Sequence, residues 1–156
     1  MERNVFGKLQ YIVKMPERPM EKNPAIIFLH GAGTRGTDIS VLERNRFLGE
    51  KSHISDEDSP FMVFAPLCSR DSWFDLFEQL QEFVKMVAAH PAVDANRLYL
   101  VGNSMGGFGS WQLAMTMRWH ARSGLPPVRI PIHTMSTLRL AALRRALEAI
   151  HHADRF

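Results

Sequence analysis

The stretch Arg97-Leu98-Tyr99-Leu100-Val101-Gly102-Asn103-Ser104-Met105-Gly106-Gly107-Phe108-Gly109 constrains this chain more than any other. An apolar run of strand length breaks at a serine flanked by glycines, and helix-forming residues follow, so the segment reads as strand, sharp turn, helix. A serine at the tip of such a turn takes a strained backbone conformation. Gly102 and Gly106 are needed because a side chain at either would strike the neighbouring strand or helix. The turn lifts the Ser104 hydroxyl clear of the sheet. It also aims the free N–H groups at the start of the helix at the same spot, so an oxyanion forming beside Ser104 would meet donors and the positive end of a helix dipole. The spacing G-x-S-x-G, in that strand-to-helix context, makes Ser104 a candidate nucleophile. The plainer alternative is a glycine-rich turn that merely joins a strand to a helix.

Composition bounds the rest. The 156 residues are 46% hydrophobic and 22% charged, as in one soluble globular domain, and no run is long enough to span a membrane. Residues 1–7 lack the apolar core of a secretory signal, and the lone Cys68 cannot form an intramolecular disulfide. Together these give a cytoplasmic expectation. The net charge of +3 hides two unlike segments: residues 1–116 carry 12 Lys+Arg against 14 Asp+Glu, whereas residues 117–156 carry 7 against 2, all seven being arginine. Basic tails often meet nucleic acid, but Trp119 is the only aromatic between Met117 and Arg155, and such surfaces interleave aromatics with their cations. No nucleic-acid or membrane partner is therefore expected. No His/Cys/Asp cluster has ligand spacing, so no metal or other cofactor is expected. A nucleotide-binding fold is a weak alternative, since the glycines after Val101 do not read G-x-G-x-x-G and no acidic residue follows at ribose-binding distance.

Taken in order, Leu9–Lys14 reads as a short strand and the proline-rich residues 16–24 as a turn. Ala25–Leu29 and Phe61–Pro66 are continuous apolar runs, as expected of strands buried on both faces. The first runs into His30–Asp38, a loop with three glycines in six residues, whose backbone must come close to something. A short helix is expected around Val41–Leu48 and an acidic loop at Asp56–Asp58. An amphipathic helix is predicted over Phe74–His90, with Phe74, Phe77, Leu80, Val84 and Val87 on its apolar side and Pro91 as its stop. Asp94-Ala95-Asn96 reads as a turn into the strand that leads to Ser104, the elbow strand, and Gly106–Met117 as the helix behind it. This alternation predicts an α/β fold, a three-layer sandwich with a mostly parallel sheet and ligand contacts at the carboxyl ends of its strands.

Phe28-Leu29-His30-Gly31-Ala32-Gly33-Thr34-Arg35-Gly36-Thr37-Asp38, Ala65-Pro66-Leu67-Cys68, Trp73 and Val93 to Trp111 resemble, in order and spacing, the α/β-hydrolase branch of predicted peptidases and feruloyl- or polyhydroxybutyrate-type esterases. The likeness covers about residues 9–117. It implies a serine hydrolase acting by acyl transfer on a small ester or peptide. Ser104 would be the nucleophile, with an oxyanion hole from the backbone N–H of Met105 and that of Ala32 or Gly33; His30 and Gly31 would shape that loop. Asn103 departs from the leucine or histidine that relatives more often carry there.

The larger departure begins at residue 118. Members of this fold place the triad acid and then the histidine on loops after two later strands. Here 52 residues follow Ser104, and the acids among them are Glu148 and Asp154. Glu148 with His151 or His152 has the required order, but residues three or four apart share one helical face instead of two loops. His133 and His120 stand in an arginine-rich setting that suits solvated side chains. The expectation is therefore a truncated α/β-hydrolase that is weakly active or inactive, or else a non-catalytic fragment. Val128–His133 reads as an edge run broken by Pro131, and Ser136–His152 as a helix, the tail as a whole packing poorly. Without a further strand, the elbow strand has an open edge and a route to self-association. The compositional break suggests that residues 118–156 are out of frame. That idea fails if neither other frame downstream of codon 117 encodes a strand, an Asp loop and a His loop.

Overall fold

The computed structural model describes residues 1–48 and 59–120, the last four by backbone alone. Among these residues five strands form one sheet: β1 (Glu2–Phe6), β2 (Leu9–Lys14), β3 (Asn23–Leu29), β4 (Met62–Pro66) and β5 (Val93–Gly102), in the order β1-β2-β4-β3-β5. The core trio β4-β3-β5 is parallel, and β1 and β2 join antiparallel on the β4 side, so the sheet is mixed. The antiparallel edge corrects the expectation of strand and helix alternating throughout. β1 has no counterpart in the sequence reading because it lies at the solvent edge and carries mainly exposed residues. A two-residue turn with Gly7 at φ 60° joins it to β2.

Period-two alternation divides each buried strand between two cores. Ala25, Ile27 and Leu29 of β3 point to one face, with Leu98 and Leu100 of β5 and Met62 and Phe64 of β4. That face is covered by Trp73, Leu76, Leu80, Phe83, Val84 and Val87, with Leu113 beyond them. These come from a 3-10 turn (Trp73–Leu76), α2 (Phe77–Ala88) and α3 (Met105–His120). Ile26 and Phe28 point the other way, with Val63, Ala65, Tyr99 and Val101. There Leu42 of α1 (Ser40–Glu43) closes over them, with Phe47, Leu48 and Phe61. The chain thus has the three-layer arrangement.

Three boundaries differ from the sequence reading. The helix expected at Val41–Leu48 is one turn only: Asp38 accepts from Ser40 N–H and O–H at its start, and Asn45 Oδ1 accepts from Phe47 N–H beyond its end, drawing the backbone out of helix. Phe74 is exposed, because the 3-10 turn puts Trp73 and Leu76, three residues apart, inward instead. The Asp94–Asn96 turn lies inside β5 as an irregularity: Asn23 pairs with Val93 and Ala25 with Leu98, while Asp94 Oδ1 takes Asn96 N–H at 3.0 Å. Pro24, which has no N–H to give, stands opposite that bulge.

The expected edge run and helix at 128–152 and the acidic loop at 56–58 lie outside the described residues. Among the described residues β5 pairs with β3 alone. Phe108, Trp111 and Met115 of α3 are exposed at 63%, 49% and 60%. No helix among the described residues is long and apolar enough to cross a membrane.

Candidate active site

β3 and β5 are neighbours, yet the chain leaves them toward opposite faces: β3 leads to α1, and β5 to α3. Their carboxyl ends are level, Leu29 pairing with Gly102. A crevice opens at such a switch point, because neither loop covers the gap between the strands.

Ser104 stands at this crevice, exposed, with φ at 51°; among the described non-glycine residues no other has positive φ. That conformation costs a non-glycine residue on the order of 1–3 kcal/mol, and the surrounding bonds hold it there. Asn103 N–H donates to Leu29 O at 3.0 Å, tying the turn back to β3. Ser104 O accepts from Gly107 and Phe108 N–H at 2.8 and 3.2 Å, opening α3. A Cβ at Gly102 would overlap the Gly106 carbonyl, and one at Gly106 the Leu29 carbonyl, so both positions admit glycine alone. A Cβ on Gly31 would lie 3.2 Å from Asn103 Nδ2 and 3.6 Å from Ser104 Cβ, which places the loop after β3 directly against the serine.

That loop folds into a 3-10 turn, Ala32–Thr34, at the lip of the crevice. Among the described residues, the N–H groups of Ala32, Gly33 and Met105 donate to no protein acceptor. The turn is anchored by His30, which is fully buried. Its Nδ1 faces Gly31 O at 2.8 Å and must carry the proton, while Nε2 accepts from Cys68 N–H at 3.0 Å. Burial holds this imidazole below its ordinary pKa, and both nitrogens are engaged, so His30 is a neutral brace and has no nitrogen free to act as a base. Trp73 Nε1 donates to His30 O at 2.9 Å, its ring 4.9 Å from the imidazole. Gly109 of α3 packs so closely on Trp73 that a Cβ there would come within 2.8 Å of the Trp73 Cβ. Trp73 therefore links the loop to the elbow helix.

The Cys68 thiol is buried, donates weakly to Arg70 O, and has its pKa pushed up by burial, which keeps it unreactive. Among the described residues no group of three or more His, Cys, Asp and Glu could hold a metal. His90 accepts from Ala92 N–H at the amino end of β5, away from the crevice. His133, His151, His152 and Glu148 lie outside the described residues, as does the side chain of His120. Sequence reasoning gave no task to Arg35 or to Trp73. Nothing in a one-dimensional pattern marks a tryptophan 43 positions from the carbonyl it bonds, whereas Arg35, three residues after Ala32, has the spacing at which a turn brings donor and carbonyl together.

No family model and no curated relative matches the sequence. Solved structures do match. A thermostable esterase superposes with a TM-score of 0.56 at 25% identity, over 88% of this chain and 48% of its own. The 2,6-dihydroxy-pseudo-oxynicotine hydrolase gives 0.53 at 18%, over 74% and 32%. Esterase B from Lactobacillus rhamnosis gives 0.52 at 17%, over 78% and 40%. The chain spans about half the length of the first of these and less of the others. Its mixed sheet with covering helices is the fold of α/β-hydrolase-type esterases and hydrolases.

Proposed function

We propose that this chain carries the nucleophile half of a serine hydrolase site, of the kind found in carboxylesterases and peptidase-like acyl-transfer enzymes of the predicted-peptidase and feruloyl-esterase branch. The observation that carries the reading is Ser104, exposed at φ 51° beside the Gly31–Gly33 turn, with the Met105, Ala32 and Gly33 N–H groups left without acceptors among the described residues. In this reading Ser104 Oγ attacks the substrate carbonyl carbon and its proton passes to a base. The carbonyl π pair moves onto oxygen, where the three N–H groups stabilise it. Collapse expels the alcohol or amine, and water then releases the acid from the serine.

No described histidine ring is placed to act as base to Ser104. Both described histidine rings, His30 and His90, are engaged elsewhere. Loss of triad members leaves roughly 10³ to 10⁴-fold acceleration over water from the oxyanion hole and binding. The 156-residue chain is thus expected to hydrolyse an activated nitrophenyl ester slowly. Ser104→Ala should change that rate little, whereas it should abolish a fast rate in a chain extended by the later loops.

The competing reading is a non-catalytic fragment, favoured by those same engaged histidines. Prolonged exposure to excess fluorophosphonate, with the adduct mapped by mass spectrometry, separates the two. A slow adduct on Ser104 supports the hydrolase reading. Modification of other serines with Ser104 untouched contradicts it.

A further inference from the structure

Arg35 is an exposed cation held by three hydrogen bonds. Its backbone N–H and its Nε both donate to Ala32 O, at 3.3 and 3.0 Å, and its Nη1 donates to Asp71 O at 2.6 Å. Fixing a free arginine side chain costs roughly 2 kcal/mol of rotamer freedom, so such a clamp is costly for a surface residue. Its effect falls on the other end of one peptide. The Ala32 carbonyl and the Gly33 N–H belong to the same planar trans unit and point in opposite directions. Two donors on the Ala32 oxygen therefore set the direction of the Gly33 N–H. A guanidinium on that oxygen also draws electron density through the amide, which strengthens the N–H as a donor. Packing cannot do this in its place, since a Cβ at Gly33 would meet nothing within 4 Å. The preceding peptide is held in the same manner: Gly31 O accepts from Thr34 N–H at 3.1 Å and from His30 Nδ1 at 2.8 Å, which fixes the Ala32 N–H.

We propose that Arg35 is a positioning residue that aims and polarises the Gly33 N–H toward Ser104, with the Asp71 carbonyl as its anchor. The proposal rests on the hydrolase reading and assigns Arg35 no contact with substrate. Its anchor, Asp71, stands on the loop that follows β4, on the side of β3 away from β5, so the clamp also ties that loop to the turn after β3.

The test uses the full chain and measures two quantities in Arg35→Ala, Arg35→Gln and Arg35→Lys: the rate of Ser104 phosphonylation by a fluorophosphonate, and the ¹⁵N shift of the Gly33 amide. Deleting an oxyanion donor costs roughly 10²–10³-fold, and misaiming one of three should slow phosphonylation about 10-fold. Lysine keeps the charge but cannot span both carbonyls as a fork, so it should be slow as well. Added methylguanidinium should restore part of the rate to Arg35→Ala and return the Gly33 resonance toward its original position, a rescue that loss of packing alone would not show. An unchanged rate in Arg35→Ala overturns the proposal. If Ser104 of the parent chain takes no probe, the hydrolase reading fails, and the Gly33 amide alone decides on Arg35: an unmoved resonance refutes the orienting role, and a moved and rescued one upholds it. Should Arg35→Ala fail to fold, the glutamine and lysine variants carry the same comparison.

Discussion

Gly106 and Gly102 illustrate how a single atom decides this site. Each faces a backbone carbonyl that cannot move without breaking the β3–β5 ladder or the first turn of α3, so Gly106→Ala should destabilise the fold by about 3 kcal/mol or more, read by urea denaturation. Gly33→Ala meets open space and should leave stability within about 0.5 kcal/mol. His30 gives a second prediction at this scale. Burial depresses its pKa in the folded chain, so near pH 6.5 the unfolded chain takes up a proton that the folded one refuses. The contribution is therefore complete above about pH 6.5 and lost as pH falls toward the depressed folded value, with a slope of at most about 1.4 kcal/mol per unit. Denaturation curves from about pH 7.5 to 5.5 should show this slope, and His30→Asn should remove it. The glycines were legible in the sequence because a strand-to-helix turn brings Gly102 against Gly106, four positions on, and presses Gly106 against the neighbouring strand, although the carbonyl it meets belongs to Leu29. The brace at His30 was not, because its acceptor and donor partners include Cys68, 38 positions away.

At the level of elements, the buried strands were the easiest to read. β3 and β4 are buried along their whole length, and apolar runs such as Ala25–Leu29 and Phe61–Pro66 have few other uses in a chain of this composition. Helix starts were harder, since Trp73–Leu76 winds as a 3-10 turn and rotates Phe74 outward, a choice made by tertiary contacts of Trp73 that periodicity does not encode. Those contacts make Trp73 the tie between the β3 loop, α2 and α3. Trp73→Phe keeps most of the buried ring but leaves the His30 carbonyl without its indole donor, at an expected cost of about 1–3 kcal/mol. Hydrogen exchange should then rise at Cys68 N–H and across the Ala32–Thr34 turn before it rises in β3. Equal acceleration everywhere would mean that Trp73 supports the core alone.

For the molecule as a whole, the layering places two strand ends with diverging loops side by side, and the site follows from that topology. The same topology leaves β5 with one ladder partner among the described residues, and α3, which follows it, carries the exposed Phe108, Trp111 and Met115. We propose that this strand, together with the exposed apolar side chains of α3, favours pairing with a second copy. Sedimentation should show average mass rising with concentration, less so in Trp111→Lys, and a monomer at every concentration would contradict it. The central proposal, that Ser104 and its donors form the nucleophile half of a site to which no described histidine ring supplies a base, is tested most directly by the rate of Ser104 phosphonylation as imidazole is added. The expected result is slow labelling without imidazole, acceleration in proportion to its free-base concentration, and no such adduct in Ser104→Ala. Fast stoichiometric labelling without imidazole would show a base already seated at the elbow, with His133 and His151 the first residues to replace, and absence of a Ser104 adduct at every imidazole concentration would show that Ser104 is not a nucleophile.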